Sequence, residues 1–454
     1  MKSPAATGAK GNSSSIGQLR LARAIRPGLR LTVRGRSVKL RGLRRPPTGI
    51  LRWLAILGPG LIASVAGDDA GGIATTSLIG AKLGYEMLWA LLILTVALAV
   101  VQEMAARLGV GTGAGLLDLI RQRFGIGWAL FAVSVIVIAN AGITATEFLG
   151  IAAAAEIFGI SRWIAVPVAA VLMWAVLLYG NYLSAERVFL AMTLAFLAYP
   201  LAAILAHPDW SAVARGAFVP SFTMDHEHLL LLVALVGTTI TPYQQLFQQS
   251  AVVEKGVGPR HYPAERLDAF VGAVVGNLVW AFVIIAAAAT LRPAGFTDIE
   301  NAADAARALE PLAGPTAQAL FALGLLGASL LAGAVVPLAT AYSVSEAFGF
   351  RKGVGLDYRR APVFYGLFTV LLVFGALVAL LPGVPLVALL VAIQVFNGIL
   401  LPIVLAFIVV LSSDRRLMDG LANTPLQSVL GWTTLIVVTL SALLLLVWQV
   451  LAPG

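Results

Sequence analysis

The chain has 454 residues, 59% hydrophobic and 12% charged, with a mean hydropathy of +0.91; soluble domains carry about 25% charged residues, so this is an integral membrane protein with no soluble domain of useful size. Its formal charge of +9 belongs to residues 1–50, which hold twelve Lys or Arg and no acid and leave the remainder at −3. Cysteine is absent, which excludes disulfides, thiolate metal ligands and thiol catalysis.

Residues 1–49 read as a basic cytoplasmic tail, disordered or bound to a surface, with a serine run at Ser13 to Ser15. A polybasic segment ahead of a membrane span marks the cytoplasmic side or touches anionic lipid, a reading preferred here to nucleic-acid binding. No apolar segment with a cleavage site precedes residue 50. From there on, stretches of the roughly 20 residues that cross a bilayer fall near 50–77, 85–106, 127–150, 162–180, 187–206, 229–250, 267–290, 316–345, 362–381, 386–411 and 430–451. Eleven spans are expected across 50–454, the membrane domain. Loops then placed inside carry 13 Lys or Arg against 5 in or beside the opposite loops, so the positive-inside rule agrees with the tail. The N-terminus is cytoplasmic and the C-terminus outside, in a multi-pass protein of the inner (plasma) membrane.

The first span contains Gly67-Asp68-Asp69-Ala70-Gly71-Gly72. An ionised Asp at a helix centre costs about 2.5–3.5 kcal/mol on insertion scales, so something must offset the pair. The three glycines weaken the helix there, and backbone carbonyls freed from the ladder can point inward. A broken helix, a carboxylate and free carbonyl oxygens make a cation site. Asp68 points about 100° away from Asp69 around a helix and either supplies outer charge or pairs with another helix.

Further along, Glu103 sits near the cytoplasmic end of the second span, where it pairs or snorkels. In the third span Asn140, Thr144 and Glu147 share one side by their spacing; Glu147 is either a structural pair or a group near the ion path. The four histidines, His207, His226, His228 and His261, are read as loop residues. The sixth span carries a second interruption at Thr238-Thr239-Ile240-Thr241-Pro242-Tyr243-Gln244-Gln245, because Pro242 lacks a donor and clashes with the turn before it. The two breaks occupy corresponding places in two five-span halves, the sequence pointer to a transport site built from an inverted repeat. Residues 291–315 form an acidic loop, read as a solvated outer face. In the tenth span Gln394 and Asn397 lie on one face, where amides bond other helices or line the path.

At these residues the chain resembles the NRAMP family of divalent-metal transporters over nearly everything after residue 50. The segment GPGLIASVAGDDAGGIATTSLIGAKLGY looks like the family's region around its Asp-Pro-Gly-Asn motif, with Asp69 on the Asp, and the TEFLG run at 146–150 and the DAFVGAVVGN run at 268–277 add to the match. The resemblance implies a LeuT-like fold, with spans 1–5 and 6–10 as inverted repeats, broken helices 1 and 6, and one extra helix. The family's Asn falls on Gly72, its sixth-span Met on Thr241, the His after its Pro on Tyr243, and its third-span acid on Thr144. The motif pair looks most like the NRAMP-related magnesium transporters.

Loss of the thioether leaves oxygen ligands and a hard cation, and Mg2+ keeps several waters and touches one or two carboxylates. The expected substrate is therefore Mg2+, and possible Mn2+ transport is kept with it. Asp69 is the expected ligand, with the Thr238 carbonyl and the Thr241 hydroxyl opposite, and Gly72 giving room for water. Gln245 and Gln394 complete the shell or hold water, Tyr243 packs beside the break, and Gln244, Thr144 and Glu147 belong to the path. Transport without strong proton coupling is expected, because the family's His and third-span acid, groups that could carry a proton, are replaced by Tyr243 and Thr144; two charges crossing the membrane potential still gain about 4.6 kcal/mol per 100 mV without a second ion. The alternatives are a proton-coupled Mn2+ or transition-metal importer, a symporter of a small organic cation or zwitterion on the same fold, and a channel or sensor. No HExxH or GxSxG motif occurs, so no enzyme is expected, nor any resident cofactor, and the chain is taken to work as a monomer.

Overall fold

The computed structural model describes residues 30–33, 36–39, 58–179, 182–296, 302–381 and 386–451. The chain divides into two compact units, Met1–Ala55 and Ile56–Gly454. In the first, β1 (Arg30–Val33) and β2 (Arg36–Lys39) pair antiparallel, with Arg30 opposite Lys39. The remainder of the expected tail, 1–49, lies outside the described residues.

The second unit is all helix. It begins with a divided pair, α1 (Pro59–Ala66) and α2 (Ala70–Leu83), followed by α3 (Leu88–Thr112), α4 (Leu116–Phe124), α5 (Ile126–Ile157), α6 (Arg162–Tyr179), α7 (Tyr182–Met192) and α8 (Ala198–Leu205). After α9 (Trp210–Phe218) comes a second divided pair, α10 (His226–Thr239) and α11 (Pro242–Lys255). The chain closes with α12 (Tyr262–Thr290), α13 (Ala302–Phe348, bent at Gly314), α14 (Pro362–Leu380), α15 (Leu386–Ser413), α16 (Arg415–Met418) and α17 (Pro425–Leu451). Among the described residues ten helical segments are long and apolar enough to cross a membrane, with α10 and α11 counted as one. α1 and α2, at 8 and 14 residues, are each too short and together occupy the place of the first expected span. Exposed apolar side chains such as Trp163, Ile164, Val171, Leu377 and Leu440 give the bundle the surface that lipid covers.

Two differences from the sequence reading concern boundaries. His226 and His228 open α10 instead of lying in a loop, because Asp225 accepts from the His228 N–H at 2.8 Å and starts the helix there. The expected loop 291–315 is helical from Ala302 onward, where α13 begins; of its acids, Asp298 and Glu300, and the side chains of Asp304 and Glu310, lie outside the described residues.

What positions the site is close helix approach through small residues, the packing that replaces hydrophobic driving force inside a membrane. A Cβ on Gly60 would stand 2.7 Å from the Ala269 nitrogen, and one on Gly272 would stand 2.5 Å from the Gly60 oxygen, so α1 lies backbone against backbone on α12. Asp268 on α12 then caps α1, accepting from the N–H groups of Gly58 (3.0 Å), Gly60 (2.7 Å) and Leu61 (3.1 Å). In the same way a Cβ on Gly237 would stand 2.0 Å from the Gln394 oxygen. α10 and α15 are thereby pressed together beside the second break.

Candidate metal site at the two helix breaks

The first break is short. Gly67 keeps helical angles, whereas Asp69 is extended (φ −78°, ψ 170°) and caps α2. Its Oδ1 accepts from the Gly72 N–H at 2.6 Å and from Gln394 Nε2 at 2.8 Å. Both oxygens of Glu147 accept from the Ala70 N–H, at 3.3 and 3.2 Å. Two fully buried carboxylates thus meet the unpaired amides of one helix N-terminus, where the backbone carries about half a positive charge. The expectation that three glycines loosen the helix is corrected here. Gly67 stays helical and Gly71 and Gly72 lie inside α2, so the break rests on the extended backbone of Asp69.

At the second break Ile240 (φ −119°, ψ 72°) and Thr241 (φ −74°, ψ 141°) leave the helix, and Pro242 starts α11. The Thr238 carbonyl loses its helical partner, since residue 242 is a proline without N–H. Gln244 accepts from the Thr241 N–H at 3.0 Å and donates to the Ser64 carbonyl at 3.3 Å. Tyr243 donates its phenol to the Ala66 carbonyl at 2.6 Å and stands beside the Asp69 carboxylate. Two carbonyls at the end of α1 are therefore held by protein donors instead of pointing into open space. Tyr243 does more than pack beside the break, because it joins the second break to the first.

Around this junction buried polar atoms lack partners: Asp69 Oδ2, the hydroxyls of Thr238 and Thr241, both amide atoms of Gln245, and Asn397 Oδ1. Leaving such groups unpaired costs about 1–3 kcal/mol each, so their concentration marks a place where something else binds. The set is one free carboxylate oxygen with hydroxyl and amide oxygens, a hard donor set suited to Mg, Ca or Mn. Among the described residues no group of three or more His, Cys, Asp or Glu is placed to hold a metal.

The structure brings together Asp69, Glu147, Thr238, Thr241, Tyr243, Gln244 and Gln394, and Asn397 supports Gln394 through a 3.2 Å bond to its Oε1. Gln245 falls on the Thr241 face of α11 by its i+4 spacing. Three expected residues fall elsewhere. Gly72 does not open room for water, because a Cβ there would stand 2.1 Å from Thr238 Oγ1 and 2.2 Å from Trp280 Cη2. The indole of Trp280 fills that space. Thr144 turns from the path: its hydroxyl donates to the Asn140 carbonyl of its own helix at 2.7 Å, and its methyl faces Gly375 of α14. Asp68 closes the last turn of α1, its N–H donating to the Val65 carbonyl at 3.1 Å; it makes no hydrogen bond to the residues gathered around Asp69, and its Oδ2 has no partner.

Several participants were missed. Trp280 carried no sequence signal beyond its place after the GN pair of α12, and Asp268 was read only as part of a motif. Glu103 takes the structural role, bonded to Arg107 at 2.9 Å and accepting from Tyr262. Asn140 donates to Thr340 at 2.8 Å.

Comparison with known proteins accounts for this arrangement. The profile of the Nramp family, natural resistance-associated macrophage protein-like, matches residues 60–448. The chain is 31% identical to a divalent metal cation transporter MntH of Ralstonia nicotianae over 446 residues, 91% of this chain and 96% of that one. A crystal structure of an Eremococcus coleocola manganese transporter superposes with a TM-score of 0.70 at 20% identity over 88% of each chain. MHP1, a nucleobase-cation-symport-1 family transporter, superposes at 0.53 with 15% identity over 86% of this chain and 92% of that one, which relates the fold to LeuT-like transporters. A profile match that takes in both breaks and a relative alike along almost its whole length leave one conclusion: the chain belongs to the Nramp family of divalent metal cation transporters, and it is not an enzyme.

Proposed function

We propose that the orphaned oxygens around Asp69 Oδ2 take a divalent cation as transported substrate, and that Mn2+ moved together with protons is the leading reading. The observation that carries it is the pairing of two buried carboxylates, Asp69 and Glu147, on the first residues of α2, with no basic side chain among their hydrogen-bond partners. Such a pair needs compensating positive charge in the membrane. A metal at Asp69 and a proton at Glu147 together supply it. This reverses the preference drawn from the sequence, where the loss of the family's His and third-span acid argued against proton coupling; Glu147 remains, bonded to the Ala70 N–H next to Asp69.

Mg2+ is the second reading, supported by the absence of any sulfur ligand. The space expected at Gly72 for a hydrated ion is taken by Trp280. The same filling weighs against an organic cation. In this reading Asp69, the Thr238 carbonyl, the Thr241 hydroxyl, Gln245 and Gln394 form the metal shell, with Tyr243, Gln244 and Glu147 along the path. Eleven spans with α1–α8 and α10–α15 as inverted halves, a cytoplasmic N-terminus, an outer C-terminus and a functional monomer complete the proposal.

The test is a titration of purified protein with Mn2+, Mg2+, Ca2+ and Cd2+, wild type against Asp69→Ala, with uptake into vesicles under an imposed pH gradient. Saturable Mn2+ binding that Asp69→Ala removes, and proton influx that accompanies Mn2+, are expected. Mg2+ binding with no competition from Mn2+ overturns the order of the two readings, and binding that survives Asp69→Ala overturns the site.

A further inference from the structure

We propose that the aromatic groove between α5 and α15 is a binding site for one anionic phospholipid, with an acyl chain laid along the two helices and the phosphate held by Arg415 and Arg416. Two adjoining hollows, of about 420 and 380 Å³, share Trp128 and Phe131 as walls. Gly127 borders the first. Phe124 borders the second, together with Ile403, Ala406, Phe407 and Val410, whose spacing puts them on one face of α15.

The local sequence builds this shape. Gly125 separates α4 from α5 with a φ of +91°, a conformation open to glycine. Phe124 at the end of one helix and Trp128 near the start of the next therefore both rest edge-on against Phe407, with ring centres 5.3 and 6.1 Å away. Trp128 and Phe131 also meet edge to face, at 6.1 Å, and are 55% and 46% exposed. The rings brace one another and leave the groove between them unfilled. Gly127 keeps it open, since a Cβ there would meet nothing within 4 Å. The stripe from Ile403 to Val410 extends about 10 Å along α15, from the charged end of the helix toward the middle of the span.

Charge decides the occupant. Arg123, next to Phe124, pairs with Asp414 at 3.1 Å, which brings the start of α16 to the mouth of the groove. Asp414 also accepts from the Arg416 N–H at 2.9 Å. The side chains of Arg415 and Arg416 are exposed and have no ion pair among the described residues. Three arginines against one carboxylate leave this rim with a net charge of +2. An apolar groove below two unpaired guanidinium groups fits a molecule that carries both an acyl chain and a phosphate. The orientation proposed above puts this end in the cytoplasmic leaflet, whose surface is anionic, and Trp128 is a residue of the kind that sits at headgroup level. A second copy of the chain fits worse, because a two-fold contact here would set two positive rims side by side.

The test is native mass spectrometry of purified full-length protein titrated with phosphatidylglycerol and, separately, with phosphatidylcholine. One retained phosphatidylglycerol per chain is expected, with phosphatidylcholine held more weakly. Arg415→Gln combined with Arg416→Gln should weaken phosphatidylglycerol about 25-fold, at roughly fivefold for each arginine lost near a membrane surface, and leave phosphatidylcholine unchanged. Gly127→Trp fills the groove from a position with open space around it and should weaken both lipids; thermal unfolding checks that each variant is folded. Equal retention of the two lipids, a preference for phosphatidylglycerol that survives the double arginine variant, binding that survives Gly127→Trp, or displacement of the lipid by free glycerol phosphate overturns the proposal. So does a dimer whose contact buries the groove in place of lipid. Lipid is measured with divalent cations chelated, so this proposal and the metal reading fail separately.

Discussion

Gly72→Ala is expected to damage the site by one methyl group. That methyl would sit 2.2 and 2.6 Å from Trp280 Cη2 and Cζ2 and 2.1 Å from Thr238 Oγ1, whereas carbon atoms rest at about 3.5–4.0 Å. The indole must retreat by more than about 1 Å, yet Trp280 is 1% exposed and has nowhere open to go. Overpacking of this kind costs about 1–3 kcal/mol, and it acts on the residue whose N–H orients Asp69 at 2.6 Å. A loss of that size in the metal-competent state weakens divalent binding about 5- to 150-fold. Isothermal titration with Mn2+ reads the loss, and thermal unfolding reads the strain. Trp280→Phe removes the two clashing carbons, so adding it to Gly72→Ala should restore part of the affinity, a coupling of about 1 kcal/mol or more in a double-mutant cycle. The Thr238 share of the clash remains in that double variant. Wild-type affinity and melting temperature in Gly72→Ala, or strict additivity of the pair, would show that the indole does not fill the space.

Other perturbations follow from the same geometry. Tyr243→Phe leaves the Ala66 carbonyl buried and unpaired, at a cost of about 1–3 kcal/mol; hydrogen exchange should quicken at both breaks, and a change at only one would contradict the link. Asp268→Asn keeps a single acceptor oxygen for the amides of Gly58, Gly60 and Leu61, so α1 should fray at its start, with about 1–2 kcal/mol lost as for a removed helix cap; unchanged exchange at Gly60 and Leu61 would refute it. Asp225 is held below its ordinary value of 3.8 by the His228 backbone N–H and then the His228 ring. Its cap is therefore complete above that ordinary value and is lost as pH falls through the lower folded value, which exchange in the first turn of α10 measured from pH 5 downward should show; loss of protection on raising pH instead would reverse the sign.

Both breaks were legible because each is caused locally. Pro242 cannot donate to Thr238, and an Asp pair in an apolar run cannot stay in a plain helix. The membrane character and the approximate spans follow from composition for the same reason. What could not be read was lateral. Trp280 lies 208 positions from Gly72 in the sequence, and nothing near either announces their contact. Thr144 shares a helical side with Glu147, yet its hydroxyl finds its own backbone first. Small residues gave no warning either: Gly60, Gly237 and Gly272 look like flexible points and are places where two backbones touch.

The bond from Tyr243 to Ala66 spans 177 positions of chain and fastens the end of α1 to the start of α11. An incoming cation that reached for the Ala66 oxygen would first have to evict the phenol. For a cation that takes the Ala66 oxygen, loading and unfastening would be one event.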